Sequence, residues 1–461
     1  MMQTLAYSDA STPPDVAPLA GLLIGVTDNF SRHITLGYDS TGRISKMVDP
    51  AGGLYLYGYD AGNNLASVSY PDGTTRGYLY NETAYTGGNS FPNALTGVMD
   101  ENGVRFASYY YDAQGRATTS QHAGGVDQYG LTFNTDGTTT ITDPLGTART
   151  QTFVKVLGVI KSGGQSQPGG AGCGASAASK TYDTNGNVAS STDFNGNRTS
   201  FTYDLARNLE TSRVEAIGTP QARTTTTIWS STFNLPAQIA EPLRITTFTY
   251  DTSGNLLTKT VQATTDTTGT QGLSAQATGV PRTSTYTYNT VGQMLTATGP
   301  RTDVADTTSY TYDSSGNLAT MTNAAGQTTV LSNYDAHGNA GRITDPNGMT
   351  TDLNYSPRGW LTSQTVTASG IVETTNYGYD GVGKLTSVSL PGAGTVTYTY
   401  DGAHRLTDVA DNLGNSIHYT LDGIGNRTKE QVKDPGGTLK RQTARVYDAL
   451  NRLQQVTGGT Q

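Results

Sequence analysis

A Tyr-Asp pair followed by a Gly-Asn-Leu-like tail recurs about every 21 residues, a period that restricts the chain to a stacked-repeat architecture rather than a globular enzyme domain. The clearest copies are Tyr38-Asp39 with Gly42-Arg43-Ile44, Tyr59-Asp60 with Asn63-Asn64-Leu65, and Tyr182-Asp183 with Gly186-Asn187-Val188. They continue with Tyr203-Asp204 and Arg207-Asn208-Leu209, Tyr250-Asp251 and Gly254-Asn255-Leu256, and Tyr312-Asp313 and Gly316-Asn317-Leu318. The last three are Tyr379-Asp380 with Gly383-Lys384-Leu385, Tyr400-Asp401 with His404-Arg405-Leu406, and Tyr447-Asp448 with Asn451-Arg452-Leu453. Weaker copies fill the gaps, among them Tyr80-Asn81, Tyr111-Asp112, Phe133-Asn134, Trp229-Ser230, Tyr288-Asn289, Tyr334-Asp335 and Leu421-Asp422. Residues 31–461 therefore read as an array of about 18 units, preceded by a partly irregular leader over residues 1–30.

Each unit reads as a turn. Its Asp accepts from backbone N–H groups two residues on, and its Gly takes the left-handed conformation that closes a four-residue hairpin loop. A second turn signal follows about ten residues later in many units, as in Asp49-Pro50-Ala51-Gly52 and Asp345-Pro346-Asn347-Gly348. Two turns per unit leave two short strands, an antiparallel up-and-down meander. The entering strand alternates cleanly, as in Phe248-Thr249-Tyr250 and Tyr398-Thr399-Tyr400. In the return strand, Leu385 and Val388 or Leu453 and Val456 are three apart, which requires a bulged residue or a change of face. The fold class is all-β.

Leu, Ile, Val and Phe make only about 18% of the chain, a fraction compatible with disorder when net charge is high. The net charge is only -8 over 461 residues, and 28 tyrosines add apolar area, so a thin ordered β-layer is the better reading. With 29 basic against 37 acidic residues there is no basic stripe for nucleic acid. A single cysteine, Cys173, excludes an intrachain disulfide framework. It lies in a Gly/Ser-rich stretch, 162–179, that reads as a flexible insertion. Further extra residues at 83–103, 210–224, 261–282 and 429–444 read as loops on one face or edge. The apolar run Leu19–Val26 is too short to span a bilayer and has no preceding Lys or Arg, so it reads as a first strand or docking segment rather than a signal peptide.

These motifs resemble the YD repeats of the Rhs family, which includes bacterial polymorphic toxins, the C components of insecticidal toxin complexes, and teneurins. The resemblance covers nearly all of the chain from about residue 31. It implies a long β-hairpin strip that spirals into a hollow shell around a C-terminal toxin, and a protein secreted or delivered to the cell exterior. The implied partners are that toxin cargo and proteins of a delivery apparatus. Complete bacterial members also carry an Asp-Pro-x-Gly-Leu autoprotease core; the nearest match here, Asp143-Pro144-Leu145-Gly146, continues with Thr147 and falls at a regular second turn. At about 4.8 Å per strand, about 36 strands make a strip of roughly 170 Å, or about one and a half turns around a small domain. An open band of that size is expected to be a segment of a larger shell.

No catalytic, cofactor or metal constellation emerges. Gly378 to Lys384 fits most of a phosphate-binding loop, but Leu385 replaces the Mg²⁺-binding Ser or Thr and no helix pattern follows. His33, His122, His337, His404 and His418 lack metal-ligand spacing, and the turn positions of His337 and His404 predict solvated side chains. The recurrent tyrosines admit an alternative reading as a cell-surface module that binds glycans or a protein, although cross-strand packing accounts for most of them. Far-ultraviolet circular dichroism is expected to show β structure with negligible helix; helix near the one-third usual in globular proteins would overturn the hairpin-strip reading.

Overall fold

The computed structural model describes residues 3–460. Thirty-eight strands form one antiparallel sheet in which each strand pairs with its neighbour in sequence, from Gln3–Tyr7 to Leu453–Thr460. The first and last strands do not pair with each other, so the strip stays open. Among the described residues helix is limited to three single 3-10 turns, and none is long and apolar enough to cross a membrane.

The three-residue spacing in the return strands is resolved by a bulge at each Tyr-Asp hairpin. Tyr379 pairs with Leu385 and Gly378 with Ser387, so Thr386 is the extra residue. Tyr377 then pairs with Val388, which puts Leu385 and Val388 on the face of the two tyrosines. The same shift recurs at Tyr38, Tyr59, Tyr312, Tyr400 and Tyr447. A bulge bends its strand and increases its twist, and its repetition at the same end of most Tyr-Asp hairpins curves the strip in one sense.

The opposite face carries threonine pairs, as in Thr249–Thr258, Thr287–Thr296 and Thr311–Thr320, joined hydroxyl to hydroxyl at 2.6–2.7 Å. With no second layer, the buried apolar residues among those described are few: Ala17, Val68, Ala107, Ala240, Ala403 and Tyr419. The strip is held by ladders and local polar contacts rather than by a thick core.

Two segments differ from the sequence expectation. The stretch read as a flexible insertion belongs mostly to two paired strands, Val159–Gln167 and Ser176–Tyr182, with only residues 168–175 between them. Main-chain pairing needs no particular side chain, so Gly/Ser composition there does not prevent a ladder. For the same reason most of 429–444 lies in Arg427–Lys433 and Leu439–Tyr447 rather than in a loop. The leader also contributes to the sheet. Gln3–Tyr7 pairs with Leu23–Asp28, and Tyr7 faces Leu23 beside the usual register shift, so residues 8–22 stand where a tight turn stands elsewhere.

The strip winds back on itself. Hydrogen bonds connect residues 277 to 304 positions apart, including Asn102 to Asp380, Thr147 to Ala449 and His404 to Asp100. Asp100 lies between Leu95–Met99 and Arg105–Tyr111, and His404 between Thr395–Tyr400 and Leu406–Asp411. One revolution therefore takes about two dozen strands, or roughly 115 Å of circumference at ~4.8 Å per strand. A Cβ built on Gly402 would lie 3.1 Å from the Cβ of Ala123, in the neighbouring revolution. In a Cys173→Ser background, Ala123→Cys with Gly402→Cys is expected to form a disulfide on mild oxidation, read as a mobility shift lost on reduction. Absence of the crosslink would overturn the winding.

Candidate functional site: tyrosine ties and the seam between revolutions

The Asp of each Tyr-Asp turn organises its loop. At Asp39 the carboxylate Oδ1 accepts from the N–H groups of Thr41 and Arg43, while Gly42, at φ +84°, donates its N–H to the Asp39 carbonyl. Asp60, Asp183, Asp251, Asp313, Asp380, Asp401 and Asp448 bind in the same way. Gly186, Gly254, Gly316 and Gly383 hold the left-handed position, which His404 and Asn451 also occupy. At Asp204 the loop is one residue longer, with Tyr203 facing Glu210 and Asp204 facing Leu209, and Asn208 rather than Arg207 takes positive φ.

A second role was missed by sequence reasoning: the Asn or Arg after the Gly reaches back to the same carboxylate. Asn64 Nδ2 donates to Asp60 Oδ2 at 3.0 Å, Asn255 to Asp251 at 2.8 Å, and Arg452 Nε to Asp448 at 2.9 Å. The signal was present in the recurrent Gly-Asn and Gly-Arg pairs. At Asp60 and Asp251 this Asn is the strongest influence on the carboxyl and pulls it below its usual range. The Arg452 side chain brings Asp448 down to about 2.

The tyrosine hydroxyl has an equally specific partner. Twelve tyrosines of the repeat donate to a main-chain carbonyl in the preceding unit at 2.6–3.2 Å. In most of them the acceptor is the residue that faces the previous aromatic across its bulge: Tyr38 binds Leu23, Tyr59 binds Ile44, Tyr80 binds Leu65 and Tyr400 binds Leu385. The ladder between Ile44–Val48 and Leu54–Tyr59 begins only at Lys46–Leu56, so Ile44 has no ladder partner on that side and the Tyr59 hydroxyl takes its carbonyl. Trp229 makes the same tie through Nε1, to Glu210. Burial raises the Tyr38, Tyr59, Tyr250, Tyr312 and Tyr400 hydroxyls above their ordinary range, keeping them protonated as donors.

At the seam, second turns of one revolution meet Tyr-Asp turns of the next. Arg358 is the hub. It pairs with Glu101 at 3.3 Å and Asp72 at 3.6 Å, donates to Thr74 at 3.2 Å and the Gly381 carbonyl at 2.7 Å, and stacks over Tyr70 and Trp360. The Glu101 side chain is fully buried and is shared with Arg76 at 3.2 Å, so two cations balance two carboxylates. Asp143 and Gly146 form an ordinary second turn, with Asp143 paired to Arg149. The solvated reading of His337 and His404 is corrected here. His404 Nε2 lies 2.7 Å from Asp100 with its ring stacked on Phe106, and His337 lies 3.0 Å from Asp49. Their turn positions suggested water because the covering residues come from a different revolution. Among the described residues no cluster of three His, Cys, Asp or Glu is disposed to hold a metal.

An open hairpin strip with an aromatic tie at most of its units and an edge-to-edge seam defines a YD-repeat protein. The Rhs repeat matches residues 19–54, 38–75 and 182–219, and the teneurin YD-shell matches 271–453; the chain belongs to the Rhs/YD-repeat family. No curated protein matches the chain. Among solved structures, the crystal structure of TcdB2-TccC3-Cdc42 aligns with TM-score 0.69 and 16% identity over 96% of this chain and 25% of that one. TcdB2-TccC3-TEV aligns with TM-score 0.64 and 16% identity over 93% of this chain and 24% of its own. A Photorhabdus luminescens Tc holotoxin pore aligns at 0.56 and 16% over 92% and 22%. The chain thus spans about a quarter of the length of these structures.

Two predictions follow from the ties and turns. Tyr400→Phe leaves the Leu385 carbonyl without its donor and is expected to cost about 1 kcal/mol, whereas Tyr398→Phe, whose hydroxyl makes no such tie, should be neutral. Chemical denaturation of both variants checks this, and equal effects would overturn the role of the tie. The depressed turn carboxylates contribute stability that is fully present above their unfolded value near pH 4 and is lost as pH falls through their folded values, near 2 for Asp448. Thermal midpoints should therefore hold from pH 7 to about 5 and fall below about 4; a midpoint unchanged down to pH 2 contradicts the turn assignment.

Proposed function

We propose that this chain is a wall segment of an Rhs-type toxin shell, a structural scaffold that encloses a polypeptide cargo and carries no catalytic role of its own. The observation that carries this reading is the seam: a strip that returns to its own edge after a revolution encloses a space. A circumference of roughly 115 Å gives about 37 Å between opposite walls, and side chains take about 5 Å from each. The remaining ~27 Å is narrower than the ~35 Å of a folded 100-residue domain, which favours a small or unfolded cargo. The cargo would be the C-terminal toxin of the parent protein, and delivery to the cell exterior would require partner proteins of the kind the Tc assemblies contain. The alternative, glycan binding through the repeat tyrosines, is weakened because their hydroxyls are occupied by main-chain carbonyls.

The test uses the full chain with an unfolded reporter of about 80 residues fused after Gln461. The fused reporter should be cleaved by protease several-fold more slowly than the free reporter, and Arg358→Ala should restore cleavage by loosening the seam. Equal cleavage of fused and free reporter would overturn the enclosure. Growth arrest of a sensitive bacterial host by the purified chain alone would overturn the scaffold role.

A further inference from the structure

Asn-Gly pairs occur at Asn102, Asn185, Asn195 and Asn347. Glycine has no Cβ to hinder its main-chain nitrogen, so at these positions that nitrogen most readily attacks the side-chain amide of the preceding Asn. Three of the four share one turn geometry. In the turns 100–103, 193–196 and 345–348 the Asn N–H donates to the carboxylate of the opening Asp at 2.9–3.0 Å, and the Gly N–H donates to its carbonyl at 3.0 Å.

The side chains differ. Asn102 Nδ2 donates to Asp380 Oδ2 at 3.0 Å and its Oδ1 accepts from the Gly381 N–H at 2.9 Å, so a turn of the next revolution grips both amide atoms. Among the described residues the amides of Asn195 and Asn347 have no such partner; only their main-chain N–H groups are engaged. Asn185 is held as well, but by the Leu205 carbonyl and Asn208, 20 and 23 residues away in its own revolution. Asn102 alone is held across the seam.

We infer that Asn102-Gly103 is a deamidation site gated by the seam. While the revolutions are joined, the amide is fixed at both atoms and does not turn toward the Gly103 nitrogen. Parting releases it. The Gly103 nitrogen then bonds to Cγ of Asn102, the bond from Cγ to Nδ2 breaks, and Nδ2 leaves as ammonia with the Gly103 N–H proton. Water, which reaches the exposed Asn102, opens the cyclic imide to an aspartyl or an isoaspartyl residue. Either product opposes rejoining. A carboxylate replaces the donor that faced Asp380, and the isoaspartyl form adds a methylene to the main chain one residue from Glu101, whose fully buried side chain must fit between Arg76 and Arg358. One irreversible change thus records a parting of the wall and biases it to stay parted. The inference rests on the seam alone and is independent of any cargo.

Peptide mapping by mass spectrometry after incubation at mildly alkaline pH tests it. In the parent chain Asn195 and Asn347 should convert while Asn102 lags about tenfold, because modification follows the population in which its two hydrogen bonds are open. Arg358→Ala removes the neighbouring bonds to Glu101 and the Gly381 carbonyl, so Asn102 should then convert as fast as Asn195, with Asn185 unchanged. Closing the seam through Ala123→Cys and Gly402→Cys, in the Cys173→Ser background, should slow Asn102 further until the disulfide is reduced. In that same background Asn102→Asp should crosslink several-fold more slowly than Asn102→Ser, which loses the clamp without gaining a charge. Asn102 converting as fast as Asn195 in the parent, staying amidated in the Arg358→Ala variant, or converting equally in the crosslinked and reduced chains would overturn the gate. Equal crosslinking of Asn102→Asp and Asn102→Ser would overturn the bias toward parting. None of these outcomes bears on protease protection of a fused cargo, so the two readings fail separately.

Discussion

The structure depends on what happens to one main-chain carbonyl per unit. Each bulge twists the hairpin and ends the ladder to the next unit early, leaving strands splayed at the Tyr-Asp end. In an exposed single sheet that gap would admit water and loosen the join. The tyrosine of the following unit fills it, ring across the gap and hydroxyl on the stranded carbonyl, as Tyr59 does for Ile44. Arg43, fixed by Asp39, then stacks over the Tyr59 ring at 4.2 Å, so turn, bulge and tie brace one another across adjoining units. Phenylalanine, as at Phe133, supplies the ring without the donor, whereas Trp229 brings an N–H of its own and keeps the tie.

A wall built this way needs little apolar sequence. Neither face is covered by a second layer, and each strand answers to its neighbours rather than to a distant core, so stability accumulates by nearest-neighbour contact. Threonine suits the exposed face because it favours strands and can pair hydroxyl to hydroxyl with its counterpart across the ladder. The low aliphatic content is therefore a property of a monolayer, and the same composition in a globular domain would fail to bury enough surface.

What the chain shows in its primary structure follows the range of the interactions. Turns and hairpins are local, so Asp39, Gly42 and their equivalents were legible, and even the bulge was implied by the three-residue spacing of Leu385 and Val388. The tyrosine ties lie 14 to 20 residues back, within the period, yet the acceptor is a carbonyl and leaves no mark on residue type. The seam was invisible because its partners lie a full revolution apart, and that distance depends on the accumulated curvature of two dozen hairpins. Hence His337 and His404 read as solvated turn residues, and Arg358 carried no signal at all. Composition misled at 162–179 for the opposite reason, since ladder pairing there is a main-chain property.

The two kinds of join differ in character. Within a revolution, units are held by continuous ladders and by ties whose donors are shielded from water, and breaking one exposes unpaired main-chain groups. Between revolutions, the seam is largely polar and charged: Arg358 with Glu101 and Asp72, His404 with Asp100, Asn102 with Asp380. Such groups can exchange their partners for water at modest net cost where they lie near the surface, although the buried Glu101 and Asp100 are exceptions: on parting, Glu101 loses Arg358 and keeps only Arg76, and Asp100 loses His404. Separation of revolutions is therefore easier than rupture of the strip. A wall with strong lateral joins and weaker axial ones can part along its seam while every hairpin stays intact, and the buried arginine and carboxylate cluster is the point at which that parting meets its greatest resistance.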